Sequence, residues 1–225
     1  VILATSDGRE HLAQAKEIFA SGKPVYIDKP FAADLKDVVR IVDAGKKAKA
    51  KFFATSCVRY MSGCRDARKG EMGPIRGAFV WSQESFEPHH SDYFWYAIHG
   101  AEPLFTIMGT GCEKVTCFAG PDGDMITGLW KDGRQGVMHG MRWTKPGSGY
   151  GAVIFTEKKG AVKVGGYSME SLAQEILKFF QTGVVPVDPD ETVEIYAFLE
   201  AAAQSKRKGG APVALADVLK EARCP

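Results

Sequence analysis

Pro24-Val25-Tyr26-Ile27-Asp28-Lys29-Pro30 reads as a short buried strand that ends abruptly in two charges and a second proline. Apolar runs of this length, bounded by Pro and charge, suit a strand covered on both faces. Upstream, Val1-Ile2-Leu3-Ala4 is a second such run, followed by the turn Thr5-Ser6-Asp7-Gly8. Between the two runs, Leu12, Ala15, Ile18 and Phe19 recur at helical spacing, and Gly22 ends the helix. Downstream, Asp34 caps a helix whose stripe is Val38, Val39, Ile41 and Val42. Phe52-Phe53-Ala54-Thr55 is a third strand. Strand–helix–strand–helix–strand predicts parallel pairing with right-handed crossovers.

The rest of the chain has another character. Residues 109 to 166 hold 14 of the 25 glycines, so turns are frequent there. Glu113 to Phe118, Ile126 to Trp130, Val137 to Trp143 and Ala152 to Thr156 read as strands, with Asp132-Gly133 as a hairpin turn. Connections this short predict a largely antiparallel sheet. Helices are expected around Asp92 to Met108, Met169 to Gln181, Glu191 to Arg207 and Leu215 to Ala222. The fold class is therefore α/β plus α+β. Residues 1–56 form the C-terminal part of a Rossmann-type parallel sheet, and residues 57–225 an open-sheet domain with flanking helices.

Composition narrows the function classes. The chain of 225 residues is 45% hydrophobic and 25% charged, which suits a globular protein with a real core. A net charge of +2 lacks the clustered basic excess of a nucleic-acid binder. Five cysteines without a C-x-x-C pair argue against zinc ribbons and redox pairs, and point to a reducing, cytoplasmic setting. No apolar run has the length of a membrane span. The chain opens inside a strand, so any targeting signal is expected upstream of Val1.

Ligands of parallel α/β sheets bind at the carboxyl ends of the strands. A dinucleotide site is expected to carry G-x-G-x-x-G between a strand and a helix, and the chain has none. Gly147-Ser148-Gly149-Tyr150-Gly151 is glycine-rich but lies among strands, and reads as a flexible loop.

Ala4-Thr5-Ser6-Asp7-Gly8-Arg9-Glu10-His11, with Ala20-Ser21-Gly22-Lys23-Pro24-Val25-Tyr26-Ile27-Asp28-Lys29-Pro30, resembles the Gfo/Idh/MocA oxidoreductases. That family includes glucose–fructose oxidoreductase and inositol dehydrogenase. Its pattern is Ala-Thr-Pro, a His a few residues on, then Ala-Gly-Lys-x-Val and Glu-Lys-Pro. Here Ser6, Ser21 and Asp28 replace Pro, Ala and Glu. Gly70-Glu71-Met72-Gly73-Pro74-Ile75-Arg76-Gly77 resembles the segment entering the second domain, and the helices after Ser171 resemble the family's C-terminal helices. The resemblance implies an NAD(P)-dependent oxidoreductase acting on a hydroxyl of a sugar, polyol or related compound. It also implies that the first strand–helix units lie upstream, so that the 225-residue chain alone is expected to be inactive.

Moving hydride from a secondary alcohol to nicotinamide needs a positioned carbon, an acceptor for the hydroxyl proton and a group that stabilises alkoxide. Lys29, at a strand end and pinned by Pro30, suits the last role. The resemblance makes it the lysine touching both substrate and nicotinamide. Asp28 orients Lys29, touches the cofactor, or is a surface carboxylate. His99 resembles the family's acid/base, in an Asp-x-x-x-His helix where Trp95 replaces the Asp; the alternative is a packed histidine. Asp92 and Tyr96 are expected on the same face as Trp95 and His99, near substrate. Arg59 and Tyr60 resemble the family's pair after the third strand; Arg59 is a substrate contact or a domain-linking ion pair. By resemblance, Thr5, Ser6, Asp7 and His11 line the cofactor edge, with Asp28, Lys29 and Pro30 beside them. His89-His90 offers no recognisable metal set and is expected in a loop near the cleft mouth. His139, alternating with Val137 and Met141, is expected on a packed face. Self-association through the antiparallel sheet is expected from strands that are apolar on both faces. The rival reading is a non-catalytic binding or assembly protein on the same scaffold.

Overall fold

The computed structural model describes residues 1–145 and 149–224. Strands β1 (Ile2–Leu3), β2 (Val25–Ile27) and β3 (Phe52–Ala54) form a parallel sheet in that order. Ile2 lies opposite Tyr26, and Val25 opposite Phe52. Every residue of β2 and β3 is buried, which is why they read as continuous apolar runs. Helices α1 (His11–Ala20) and α2 (Leu35–Lys47) make the crossovers. The Asp34 carboxylate accepts the Asp37 N–H at 2.9 Å and so starts α2. Lys46 and Lys47 sit in its last turn, at the negative end of the dipole.

The second sheet has seven strands: β4 (Ile75–Gln83), β5 (Cys112–Ala119), β6 (Gly123–Trp130), β7 (Gln135–Met141), β8 (Gly151–Thr156), β9 (Gly160–Gly165) and β10 (Val213–Ala214). Their order is β10-β5-β6-β7-β4-β8-β9. Every pairing is antiparallel except β4 with β7, which is parallel, with Phe79 opposite Val137. Strand β4 lies outside the strands expected from sequence. It leaves the sheet through helix α4 (Ile98–Met108), and the β5–β6–β7 meander then returns beside it. That long crossover permits the one parallel pair. Asp132-Gly133 turns the β6–β7 hairpin, with Gly133 at φ +84° and its N–H on the Trp130 carbonyl at 2.8 Å.

One face of this sheet is covered by α4 and by helix α6 (Pro189–Arg207), where Phe105 meets Trp130 and Phe198 at 5.5 and 5.6 Å between ring centres. Helix α6 also packs on β3, so one apolar core runs from Leu3 to Val218 beneath both sheets. The β7 residues on that face are Gly136, Met138 and Gly140. A Cβ at Gly136 would come 2.9 Å from the Trp130 ring, so the small residues are the buried ones. His139 therefore lies on the open face with Val137 and Met141, against the expectation from alternation, beside Phe79 and Trp143.

The helix expected from Asp92 begins only at Ile98. The preceding loop is tied down instead of wound up. The Ser91 N–H reaches the Ala33 carbonyl at 2.8 Å, and His90 Nε2 accepts the Gly8 N–H at 3.0 Å. The loop is thereby fastened over the carboxyl ends of β1 and β2. Helices α3 (Cys64–Arg68), α5 (Met169–Thr182) and α7 (Leu215–Arg223) complete the chain. Among the described residues no helix is long and apolar enough to cross a membrane.

Candidate functional site

Past the carboxyl ends of β2 and β3 lies a cleft of about 220 Å³. Asp28, Lys29, Cys57, Tyr96, His99 and Tyr150 line it, with an apolar wall at Met169 and Leu172. The chain delivers Lys29 by ending β2 two residues earlier, at Ile27, with a cis peptide to the buried Pro30. Asp28 Oδ1 accepts the Lys29 N–H and the Tyr26 hydroxyl, both at 2.9 Å, which fixes the turn. The Lys29 ammonium lies 5.1 Å from the centre of the Tyr96 ring and 5.6 Å from that of Trp95. Burial lowers its pKa, opposed by the charge of Asp28.

His99, in the first turn of α4, is only 6% exposed. Its Nδ1 stands 2.5 Å from Ser56 Oγ, at the end of β3. Its ring packs against Tyr96 at 4.9 Å and Tyr150 at 5.7 Å. Burial, reinforced by the Lys29 charge, pulls its pKa down to about 3. The imidazole is therefore neutral at ordinary pH. Burial raises the pKa of the Tyr150 hydroxyl, and the neighbouring Tyr96 adds to the rise. Tyr150 also meets Tyr167 edge-on at 5.3 Å.

Lys29, His99, Tyr96 and Asp28 thus converge, with Trp95 behind Lys29. Arg59 does not line the cleft. Its guanidinium is buried between Glu102, at 2.7 Å, and Glu191, which also holds Arg68. The Tyr60 ring packs beside the Tyr26–Phe53–Phe179 cluster, with its hydroxyl buried and unbonded. Asp92 is off the face expected for it, because residues 92 to 96 are turns; its charge is felt by Glu200 on α6.

After β1, the Ser6 side chain is exposed at the strand end. Thr5 Oγ1 donates to Gln14 Oε1 at 2.9 Å, and Asp7 is paired with Arg9 at 2.5 Å. His11 is buried, its ring nitrogens 3.2 and 2.8 Å from the carbonyls of Phe31 and Thr5. It joins the loops after β1 and β2 from beneath. His90 is buried on Gly8 and Glu87, whereas His89 is exposed. Gly147 and Ser148 lie outside the described residues. Tyr150, in the same glycine-rich stretch, is a wall of the cleft.

Sequence reasoning missed Ser56, Tyr150 and Tyr167. Ser56 had a signal: it follows β3 where Asp28-Lys29 follows β2, at the strand end where ligands bind. Tyr150 and Tyr167 come from distant loops, and no local pattern links them to β2.

No protein-family model matches the chain, and no curated protein matches it in sequence. Solved structures share its fold. A provisionally assigned myo-inositol dehydrogenase from Sinorhizobium meliloti has a TM-score of 0.80 at 18% identity, over 96% of this chain and 80% of that one. Scyllo-inositol dehydrogenase from Lactobacillus casei, with bound NAD(H) and scyllo-inositol, has a TM-score of 0.76 at 14% identity, over 95% and 79%. An oxidoreductase from Agrobacterium radiobacter, in complex with NAD+, L-tartaric acid and magnesium, has a TM-score of 0.76 at 16% identity, over 96% and 80%. Identities this low establish the fold; the bound molecules belong to those proteins.

Proposed function

We propose that this chain carries the substrate site of a nicotinamide-dependent oxidoreductase acting on a secondary hydroxyl of a polyol, sugar or related compound. The observation that carries the reading is the convergence of Lys29 and His99 in one cleft at the carboxyl ends of parallel strands. Lys29 hydrogen-bonds the substrate oxygen and stabilises it as alkoxide character develops. The neutral His99 takes the hydroxyl proton. With that proton on His99 and the carbinol hydride given up, the carbon would become a carbonyl. Tyr96 and Tyr150 offer ring faces for the C–H side of a cyclic substrate and hydroxyls for its rim.

The residues present fit one end of the cofactor. Ser6, Asp28 and Lys29 place a hydroxyl, a carboxylate and an ammonium at the ends of β1 and β2, a donor and acceptor set suited to a carboxamide and ribose hydroxyls. The Gly8 N–H is already taken by His90 and so is not offered to a phosphate. Bound there, the nicotinamide would supply the hydride acceptor. The dinucleotides in the structures of similar fold support this reading, as does the scyllo-inositol in one of them.

The test is turnover by the full-length protein, with NAD+ or NADP+ and a panel of cyclitols, aldoses and sugar acids, followed as reduced nicotinamide. Lys29→Ala and His99→Gln should each lower kcat/KM by about 10² or more. Absence of turnover across the panel, or full activity in either variant, overturns the reading. The open face of the large sheet, with Trp143 60% and Phe155 43% exposed, is proposed to pair with the same face of a second copy.

A further inference from the structure

The loop residue Ser56 has a place in the site that neither the motif resemblance nor the cleft lining assigns. Its Oγ stands 2.5 Å from His99 Nδ1 and accepts the Val58 N–H at 3.2 Å. Its own O–H has a second direction available, toward the neighbouring Cys57 sulfur. Both Ser56 and His99 are buried, at 1% and 6% exposure, so no water competes for Nδ1. The other ring nitrogen, Nε2, has no hydrogen-bond partner among the described residues and belongs to a side chain that lines the cleft.

At 2.5 Å one proton must lie between Oγ and Nδ1, and two arrangements are possible. If Ser56 donates, the neutral imidazole carries its proton on Nε2 and has no lone pair for the substrate. If Nδ1–H donates, the Ser56 O–H is free to turn toward Cys57, and Nε2 keeps a lone pair on the cleft side. In the second arrangement Oγ accepts from Val58 and from His99, and its own O–H can turn to the adjacent sulfur. It also turns a lone pair, not an N–H, toward the cleft that His99 shares with the charge of Lys29.

We infer that Ser56 is a positioning residue for His99: its hydroxyl accepts the Nδ1–H and holds the ring as the tautomer whose bare Nε2 faces the cleft. This rests on the reading of His99 as proton acceptor given above. A hydroxyl from the end of β3 thereby does what a carboxylate does for many catalytic histidines, and adds no charge beside Lys29. The aromatic walls, Tyr96 and Tyr150, hold the plane of the ring, and Ser56 fixes its rotation within that plane.

The test is nitrogen-15 NMR of the histidine rings in the full-length protein, which reads the tautomer without requiring turnover. His99 should be protonated on Nδ1 in the wild type, should keep that state in Ser56→Thr, and should become a tautomer mixture in Ser56→Ala. A wild-type ring protonated on Nε2, or an unaltered tautomer in Ser56→Ala, overturns the inference. Kinetics then separate the inference from the reading beneath it. Ser56→Ala should lower kcat about tenfold or more with KM little changed, and Ser56→Thr should restore it. If the tautomer shifts in Ser56→Ala while kcat stays at the wild-type value, Ser56 does hold the ring and His99 is not the proton acceptor.

Discussion

The ammonium of Lys29 stands 5.6 Å from the centre of the Trp95 ring, at the position where the resembling family carries an aspartate. A carboxylate there would raise the affinity of Lys29 for its proton; an indole shields the amine from water with only a quadrupole in exchange. Lys29 is expected to titrate below an ordinary lysine, since burial lowers its pKa. Trp95→Asp should move that titration upward, and Trp95→Leu should weaken the hold on the cation by about 0.5–2 kcal/mol. Carbon-13 NMR of reductively methylated lysines reads both. An ordinary lysine titration in the wild type would contradict the burial argument.

His99 makes stability depend on pH with a definite sign. The unfolded imidazole takes its proton near pH 6.5, and the folded one only at about 3. Between these values the unfolded chain binds more protons, so stability falls as pH falls. The loss attributable to His99 at about pH 5 is about 2 kcal/mol. Urea unfolding at about pH 7 and about pH 5 should therefore show a smaller pH effect in His99→Gln than in the wild type. Equal pH effects in the two proteins would place the imidazole in a far wetter setting.

Glu84 works in the opposite direction. Its side chain is fully buried beside Gly140, with Oε1 on Arg142 at 2.5 Å and Oε2 unbonded. Burial, and then the negative charge of Asp124, raise its pKa. The folded carboxyl holds its proton at a pH where the unfolded one has lost it, so stability is lost as pH rises above the ordinary carboxylate range. Glu84→Gln should remove up to about 1.4 kcal/mol of that loss for each pH unit over which the two states differ. Its advantage over the wild type should appear at about pH 8 and shrink at about pH 5. A variant less stable at every pH would mean that Arg142 needs the full charge of Glu84.

The parallel sheet was legible because its strands are short apolar runs, two of them wholly buried, separated by helices with readable apolar stripes. The Asp34 cap could be read directly from its place before the apolar stripe. Strand β4 was not, since its pairing with β7 depends on a crossover through α4 that no local pattern reveals. Alternation with Val137 and Met141 puts His139 on the packed face, whereas the small residues Gly136 and Gly140 take that face and make room for Trp130 and Glu84. In the site, Lys29 and Asp28 were visible as charges closing a buried strand. The loop carrying Asp92 and Trp95 was read as helix; its true shape comes from bonds to Gly8 and Ala33, far away in sequence.

The open face of the large sheet yields a simpler test. Phe79, His139 and Trp143 form a row of ring contacts there, with Phe155 exposed on β8. A second copy would bury this row. Sedimentation of the wild type should give a dimer or larger assembly, and Phe155→Glu should shift it toward monomer without changing the far-ultraviolet circular dichroism. A monomeric wild type would leave this face free and remove the self-pairing proposal.

Arg59 separates a structural role from a substrate role. It is 5% exposed, and its two carboxylate partners come from α4 and α6, so the ion pairs tie the end of β3 to both helices that underlie the large sheet. Removing the cation leaves Glu102 and Glu191 buried with too little positive charge; Arg68 reaches only the second. Arg59→Met should therefore cost about 3–5 kcal/mol in urea unfolding. Adding Glu102→Gln should recover part of that loss, because a neutral amide is cheaper to bury than an unpaired carboxylate. KM measured on the folded fraction should stay near the wild-type value, because the guanidinium does not line the cleft. A large rise in KM with little loss of stability would instead make Arg59 a substrate contact and require the helices to move apart when ligand binds.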